Sequence, residues 1–269
     1  MTNDSDIFLS RRDIGNQFEV LLSLVYRTFV KPGDVVIDGG SNSGLHSIPL
    51  AHIVGKKGAV YAYEPQRNRL KELKKWAISD CVNDVIITRP VALSNRYKYS
   101  VFWKNLDNNA LSSLLKPITI NKDVWERKIV KVVRLDNEYL QLPVSFIKLD
   151  LEGSEFRALQ GAKKLLTIYK PLVAFESSCE WAAILGNYTS HQFFDFFSNI
   201  GYTLVDFFGN TFTQKDWTSG KKAWYFFAID SADPRIGQLK RIISDFWGKL
   251  KLDSYLDEWT DVVFLVSGK

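Results

Sequence analysis

The sequence predicts an α/β protein built on a doubly wound, mostly parallel sheet. Three observations carry this. Short apolar runs such as Val35-Val36-Ile37 alternate with amphipathic stretches, as strands buried on both faces alternate with their crossover helices. Turn residues such as Gly39-Gly40-Ser41-Asn42-Ser43-Gly44 separate run from stretch. The last two strand-like runs have no helical stretch between them, which predicts an antiparallel pair at one edge.

The elements follow in order. Gln17 to Val30 carries Phe18, Leu21, Leu22, Val25 and Tyr26 at helical spacing, and Pro32-Gly33 ends it. Val35 to Ile37 is the first strand. Leu45 to Ile53 is a helix, with His46 read as a surface residue of its first turn. Ala59 to Tyr63 is a strand, Arg67 to Ile78 a charged helix, and Val85 to Thr88 the third strand. The rhythm then changes. Tyr97 to Trp103 and Arg127 to Val133 read as an antiparallel β insertion around the polar stretch Asn105 to Ser113. Val144 to Leu149 is a fourth core strand, Glu155 to Leu166 one helix, and Leu172 to Phe175 a fifth strand. Thr189-Ser190-His191-Gln192 is a capping box opening a helix that ends at Gly201, with His191 in a structural role. Tyr202 to Phe207 and Trp224 to Ile229 are the closing strands. Trp181 and Tyr188 lie beyond the fifth strand, where substrate loops gather, with core packing as their default role.

Residues 1–30 form an N-terminal helical segment, 31–230 the sheet domain and 231–269 a helical extension. The extension's stripe, Ile236 to Leu250, fits packing on its own domain first and a contact with a second copy of the chain next.

Composition narrows the class. Of 269 residues, 46% are hydrophobic and 24% charged, which excludes a disordered or collagen-like chain. Cys81 and Cys179 lie in no CxxC, so neither a zinc site nor a disulfide framework is indicated. Net charge is +5. That permits an anionic partner, but basic and acidic residues are mixed along the chain, as on a solvated surface. No apolar run approaches the ~20 residues that span a bilayer. The start Met1 to Asp6 is polar and acidic. The expectation is a cytoplasmic protein.

The chemistry gathers in three segments. Val36 to Gly44 is a strand, an acid (Asp38) and a Gly-rich turn whose Gly40 and Gly44 let backbone approach a ligand. Glu64 follows 20 residues after Gly44, at the tip of the next strand, where a carboxylate can accept both hydroxyls of a ribose. The dinucleotide pattern G-x-G-x-x-G fails, because Ser41 or Asn42 stands where its second glycine belongs. Asp38-x-Gly40-x-Asn42-x-Gly44 is a looser turn suited to an amino-acid moiety, which favours S-adenosylmethionine over NAD. In Phe146 to Glu155, Lys148 and Asp150 share one side of a strand and Glu152 follows in the turn. Acids crowded there are costly unless paired, solvated or functional.

With these residues in view, the chain resembles the FkbM-type S-adenosylmethionine-dependent methyltransferases. The matching segments are Val35–Gly44, Tyr63-Glu64-Pro65, Val91-Ala92-Leu93-Ser94, Leu135-Asp136, Ile147–Glu155 with Gly161-Ala162, and Pro171–Glu176. The resemblance implies a seven-stranded Rossmann-like sheet ending in an antiparallel hairpin. It implies cofactor contacts at Asp38, Gly40, Asn42, Gly44 and Glu64, and at Val91 and Ala92 beside the adenine. Gly39, Ser41, Pro65 and Asp150 are counted with them. Ser41, Ser43 and Ser154 stand where small or apolar residues are common, and Asn95-Arg96 lacks the usual glycine.

The expected reaction is O-methylation of a hydroxyl by in-line displacement. Candidate bases are Asp150, Glu152 and Glu176, with Lys148 orienting a carboxylate or holding an acceptor oxyanion. A Mg²⁺ variant on Asp150 and Glu176 stays open. The resemblance implies a sugar of a glycan or glycosylated metabolite as acceptor. An RNA methyltransferase is the alternative enzyme, disfavoured because the sequence shows no basic stripe interleaved with aromatics. A non-catalytic cofactor-binding scaffold is a third reading, opposed by the acids at 64, 150 and 152.

Overall fold

The computed structural model describes residues 11–108, 111–117, 124–219 and 224–249, with side chains from residue 17 onward. Met1 to Asp6 and Leu250, used above, lie outside the described residues.

A helix, α1 (Arg11–Phe29), precedes the alternation β1 (Val35–Gly39), α2 (Ser47–Val54), β2 (Ala59–Tyr63), α3 (Arg67–Ser79) and β3 (Ile86–Arg89). Three strands follow: β4 (Ala92–Leu93), β5 (Lys98–Asn105) and β6 (Trp125–Val133). The alternation then resumes with β7 (Val144–Leu149), α4 (Glu155–Gln160), α5 (Lys163–Tyr169), β8 (Leu172–Glu176), α6 (Glu180–Gly186) and α7 (Ser190–Asn199). The chain closes through β9 (Tyr202–Asp206), α8 (Gln214–Thr218), β10 (Tyr225–Asp230) and α9 (Ile236–Lys249).

Among the described residues the main sheet has seven strands in the order β3-β2-β1-β7-β8-β10-β9. All neighbours are parallel except β10, which runs antiparallel to both β8 and β9. The chain crosses over between β1 and β7, so the carboxyl ends of these strands face a crevice at the switch point. The insertion is a separate sheet, β4-β6-β5, in which β5 and β6 are antiparallel.

Apolar clusters cover both faces of the main sheet. One holds α1, α2 and α9. There Leu239, Ile243 and Trp247 of the C-terminal stripe are buried, and the Trp247 indole donates to the Phe207 carbonyl at 2.7 Å. The stripe therefore packs on its own chain. The other face collects an aromatic set around Phe175, Phe193, Phe197 and Phe226. The capping box at Thr189 forms, with Thr189 Oγ1 accepting from Gln192 N at 3.2 Å.

The structure corrects four expectations. The segment 155–166 is two helices, α4 and α5, and at the break only glycine fits, because a Cβ on Gly161 would lie 2.0 Å from the Ser94 carbonyl oxygen. The Asp136 carboxylate then accepts the orphan N–H groups of Lys164 and Leu165 at the start of α5. Next, α2 begins at Ser47 rather than Leu45, and His46 is buried against α1, not exposed. Third, α6 was not anticipated. Finally, the connection between the two closing strands carries a helix, α8, although the strands pair antiparallel as expected. At seven and five residues these two helices are too short to show a period.

Gly161→Ala is expected to cost about 1–3 kcal/mol by overpacking against the Ser94 backbone. Urea unfolding measures it, and a variant as stable as the wild type would contradict the close approach.

Candidate functional site

The site starts from a buried ion cluster. Asp38, at the end of β1, has no exposed surface, and Lys148, its register partner on β7, is 3% exposed. The Lys148 ammonium lies 3.3 Å from Asp38 and 3.5 Å from Asp150, and donates to the Gly40 carbonyl at 3.2 Å. Burial alone would push Lys148 down, but Asp38, Asp150 and Glu19 around it outweigh that and hold it above the ordinary lysine value. Ser47 Oγ donates to the second Asp38 oxygen at 2.6 Å. Beneath the turn, the His46 ring bonds Glu19 of α1.

The Gly-rich turn rides on this cluster. Gly40 has φ of +73°, and a Cβ there would fall 1.8 Å from the Asp150 carbonyl oxygen. Only glycine lets the turn touch the exit of β7 so closely. Across the turn, Glu64 at the tip of β2 is buried. It accepts from Asn42 N at 3.3 Å on one oxygen and from Gln66 N at 2.7 Å on the other. Burial pushes its carboxyl up to about 7 despite these bonds. A carboxylate has about four acceptor positions, so lone pairs remain for a ligand.

These groups border a cleft at the carboxyl edge of the sheet. Of the residues expected to bind a cofactor, Gly40, Asn42, Glu64, Pro65, Val91, Ala92 and Asp150 line it, joined by the candidate base Glu152. Asp38, Gly39, Ser41 and Gly44 do not line it. Asp38 is fully buried under the turn, where Ser47 and Lys148 hold its carboxylate. Lys148 does not line it either, and its ammonium lies within 3.5 Å of two acids. The sequence did not point to Phe102, Ser112 and Leu114, which bring the β insertion to the cleft wall.

Asp150, Glu152 and Glu176 each place a carboxylate oxygen within 4.8 Å of the others. Burial first, then the neighbouring acids, raises Glu152 and Glu176 well above the usual carboxylate range. Such a trio can share protons or take a hard cation through oxygen ligands. Glu155 was also missed. It is buried and accepts from Leu151 N at 2.6 Å and Gly153 N at 3.3 Å, which pins the turn carrying Glu152. Of the missed groups, only Glu19 left a signal, because three- and seven-residue spacings to Leu22 and Tyr26 place it on the buried stripe of α1.

One expectation about the surface is overturned. The outer face of the β5–β6 ribbon does interleave cations with aromatics. Arg127 sits over the Trp103 ring at 6.0 Å, Lys131 over Tyr97 at 4.9 Å, and Tyr99 and Ile129 are 69% and 68% exposed on the same side. Strand alternation had hidden this, because the two strands lie far apart in sequence.

Sheet order, switch-point crevice and the acid at the tip of β2 define a doubly wound, Rossmann-like protein with a nucleoside-type cleft. The Methyltransferase FkbM domain family matches residues 38–204, more than half of the chain. The chain belongs to the FkbM methyltransferase family. No curated protein matches it. Among solved structures it is similar to a putative rRNA-methylase from Clostridium thermocellum (13% identity, TM-score 0.46, covering 78% of this chain and 92% of that one). It is also similar to methyltransferase FkbM from Methylobacillus flagellatus KT (17%, 0.44, 80% and 59%). A third similar structure is an O-methyltransferase from Bacillus cereus in complex with SAH (14%, 0.45, 82% and 84%).

Lys148→Met would leave Asp38 buried and uncompensated. It is expected to cost about 3–5 kcal/mol in urea unfolding, part of which Asp38→Asn in the same chain restores. Unchanged stability of the single variant would refute the buried cluster.

Proposed function

We propose that the chain is an S-adenosylmethionine-dependent O-methyltransferase acting on a hydroxyl, with a sugar of a glycan or glycosylated metabolite as acceptor. The observation that carries this is the Glu64 carboxylate, held at the cleft wall by two backbone N–H groups across from the acids after β7. The residues fit the cofactor on charge and shape. Gly40 offers a cradle that a Cβ would fill. The cleft wall and floor are rich in carboxylates whose own lysine is engaged, which suits a cationic sulfonium and opposes a pyrophosphate.

When bound, the cofactor supplies an electrophilic methyl group. The chain's residues do the rest. Glu64 receives the ribose hydroxyls, while Val91 and Ala92 flank the base. Holding the acceptor oxygen in line can supply ~7–11 kcal/mol. Removing its proton during attack adds ~10²–10⁴ in rate. The trio Asp150, Glu152 and Glu176 takes that proton, with Asp150 oriented by Lys148. The raised acids suit a base working near neutrality. The same three oxygens would also hold Mg²⁺, which lowers the pKa of a coordinated hydroxyl. A second reading, an RNA methyltransferase, is raised by the aromatic outer face of the ribbon, on which a base could stack. Tritiated-methyl transfer to glycan pools and to RNA pools separates the two.

Glu64→Gln is expected to weaken S-adenosylmethionine binding at least about tenfold in calorimetric titration, since bonds to a charged acceptor are lost. Glu64 titrates near 7 in the free protein, and its ionised form accepts the diol. Wild-type affinity therefore rises as pH passes upward through 7 and then levels, whereas the variant stays flat. Equal affinity in both would rule out the diol contact.

Asp150→Asn is expected to abolish methyl transfer with cofactor affinity kept within a few-fold. Wild-type turnover would remove Asp150 from the base. Loss of wild-type turnover in EDTA, restored by Mg²⁺, would establish the cation variant, and turnover unchanged in EDTA would dismiss it.

A further inference from the structure

Beside α4, outside the cofactor cleft, a second concavity is lined by Asn95, Arg96, Arg157, Gln160, Asn187 and Gln192, together with the rings of Phe156 and Tyr188. No carboxylate lines it. Among the described residues neither arginine has an acidic partner. The Arg157 guanidinium is partly buried and anchored by one bond, from Nη2 to the Gly186 carbonyl at 3.0 Å. Burial, and after it the charge of Arg96, holds Arg157 below its ordinary value. Two like charges thus line one hollow, close enough for Arg96 to act on Arg157, with no acidic residue among its lining.

The polar groups around the pair are neutral side-chain amides, which bring donors to an anion and no competing negative charge. Gln160 Oε1 already accepts from Asn95 Nδ2 at 2.9 Å, and Gln192 Oε1 accepts from Thr189 N at 2.9 Å in the capping box. What both glutamines still offer is an amide NH₂. The planar fork of an anchored arginine suits paired oxygens. A solvated surface arginine would need neither the backbone anchor nor the donor-rich surround.

We propose that this hollow is a second binding site, separate from the cofactor cleft, for an oxyanion group (phosphate, sulfate or carboxylate) carried by a ligand of this protein.

Calorimetric titration of the full chain with inorganic phosphate, sulfate and acetate in separate arms tests this, repeated on Arg96→Gln and Arg157→Gln. Saturable binding of at least one ion is expected, weakened about tenfold or more in each variant. The arm that binds tightest names the group. Arg96 is exposed, so its variant keeps the fold even if loss of the Gly186 bond unsettles Arg157→Gln. Circular dichroism checks both. Heats for S-adenosylmethionine are expected to be the same in wild type and variants. If they are absent throughout, the methyl-transfer reading fails and the oxyanion site stands. No binding in any arm, or equal affinity in wild type and Arg96→Gln, overturns the oxyanion site.

Discussion

A buried ammonium organises the centre of the molecule. Lys148 sits on the strand next to β1, and removing its charge from water costs several kcal/mol unless partners converge on it. Asp38 and the Gly40 carbonyl do so from the end of β1 and its turn, and Asp150 from just after β7. The position of the Gly-rich turn and the position of the acids after β7 are therefore one event. The turn then presses backbone to backbone on Asp150, and its Asn42 N–H reaches the carboxylate at the tip of β2. Three stretches separated by up to 110 positions become a single unit because one charge has to be neutralised.

That unit was legible in the sequence because each of its parts is short and contiguous. A strand, an acid and a turn within nine residues, and an acid at the next strand tip, need no tertiary knowledge to be noticed. What failed depended on docking. His46 reads as exposed until α1 lies over it and supplies Glu19. The helix break at Gly161 lies against the Ser94 backbone, 67 positions earlier. Asp38 has the right type and place for a cofactor contact, but its bonds to Ser47 and Lys148 come into view only once the strands are docked. The strand-period argument for Lys148 and Asp150 succeeded because Asp150 directly continues the strand that carries Lys148.

The crowded carboxylates carry a further consequence. Burial first, then mutual repulsion, keeps Glu152 and Glu176 protonated more readily than ordinary acids. A positive charge arriving in the cleft relieves the repulsion and favours the ionised forms. On the proposed reading, the binding that brings the methyl group also prepares the groups that receive the acceptor's proton. The same linkage would operate with a divalent cation, and it has no counterpart for a pyrophosphate, which would add to the repulsion.

The β insertion is the part of the chain that the doubly wound alternation does not require, and its two faces do different things. Phe102 points into the cleft wall, while Trp103 and Tyr99, one and three residues away, face outward. That outer face can stack on a sugar ring or on a nucleobase, since both present a flat surface to an aromatic. Charge decides between them. Arg127 and Lys131 each lie over a ring of the ribbon itself. Lys128, on the opposite face, is 3.4 Å from Glu126, which also draws Lys104. A strand reading nucleic acid needs cations free to meet a phosphate at every step. Among the described residues the outer face of the ribbon carries two cations, each beside an aromatic ring, a density better matched to a neutral ring than to a polyanion.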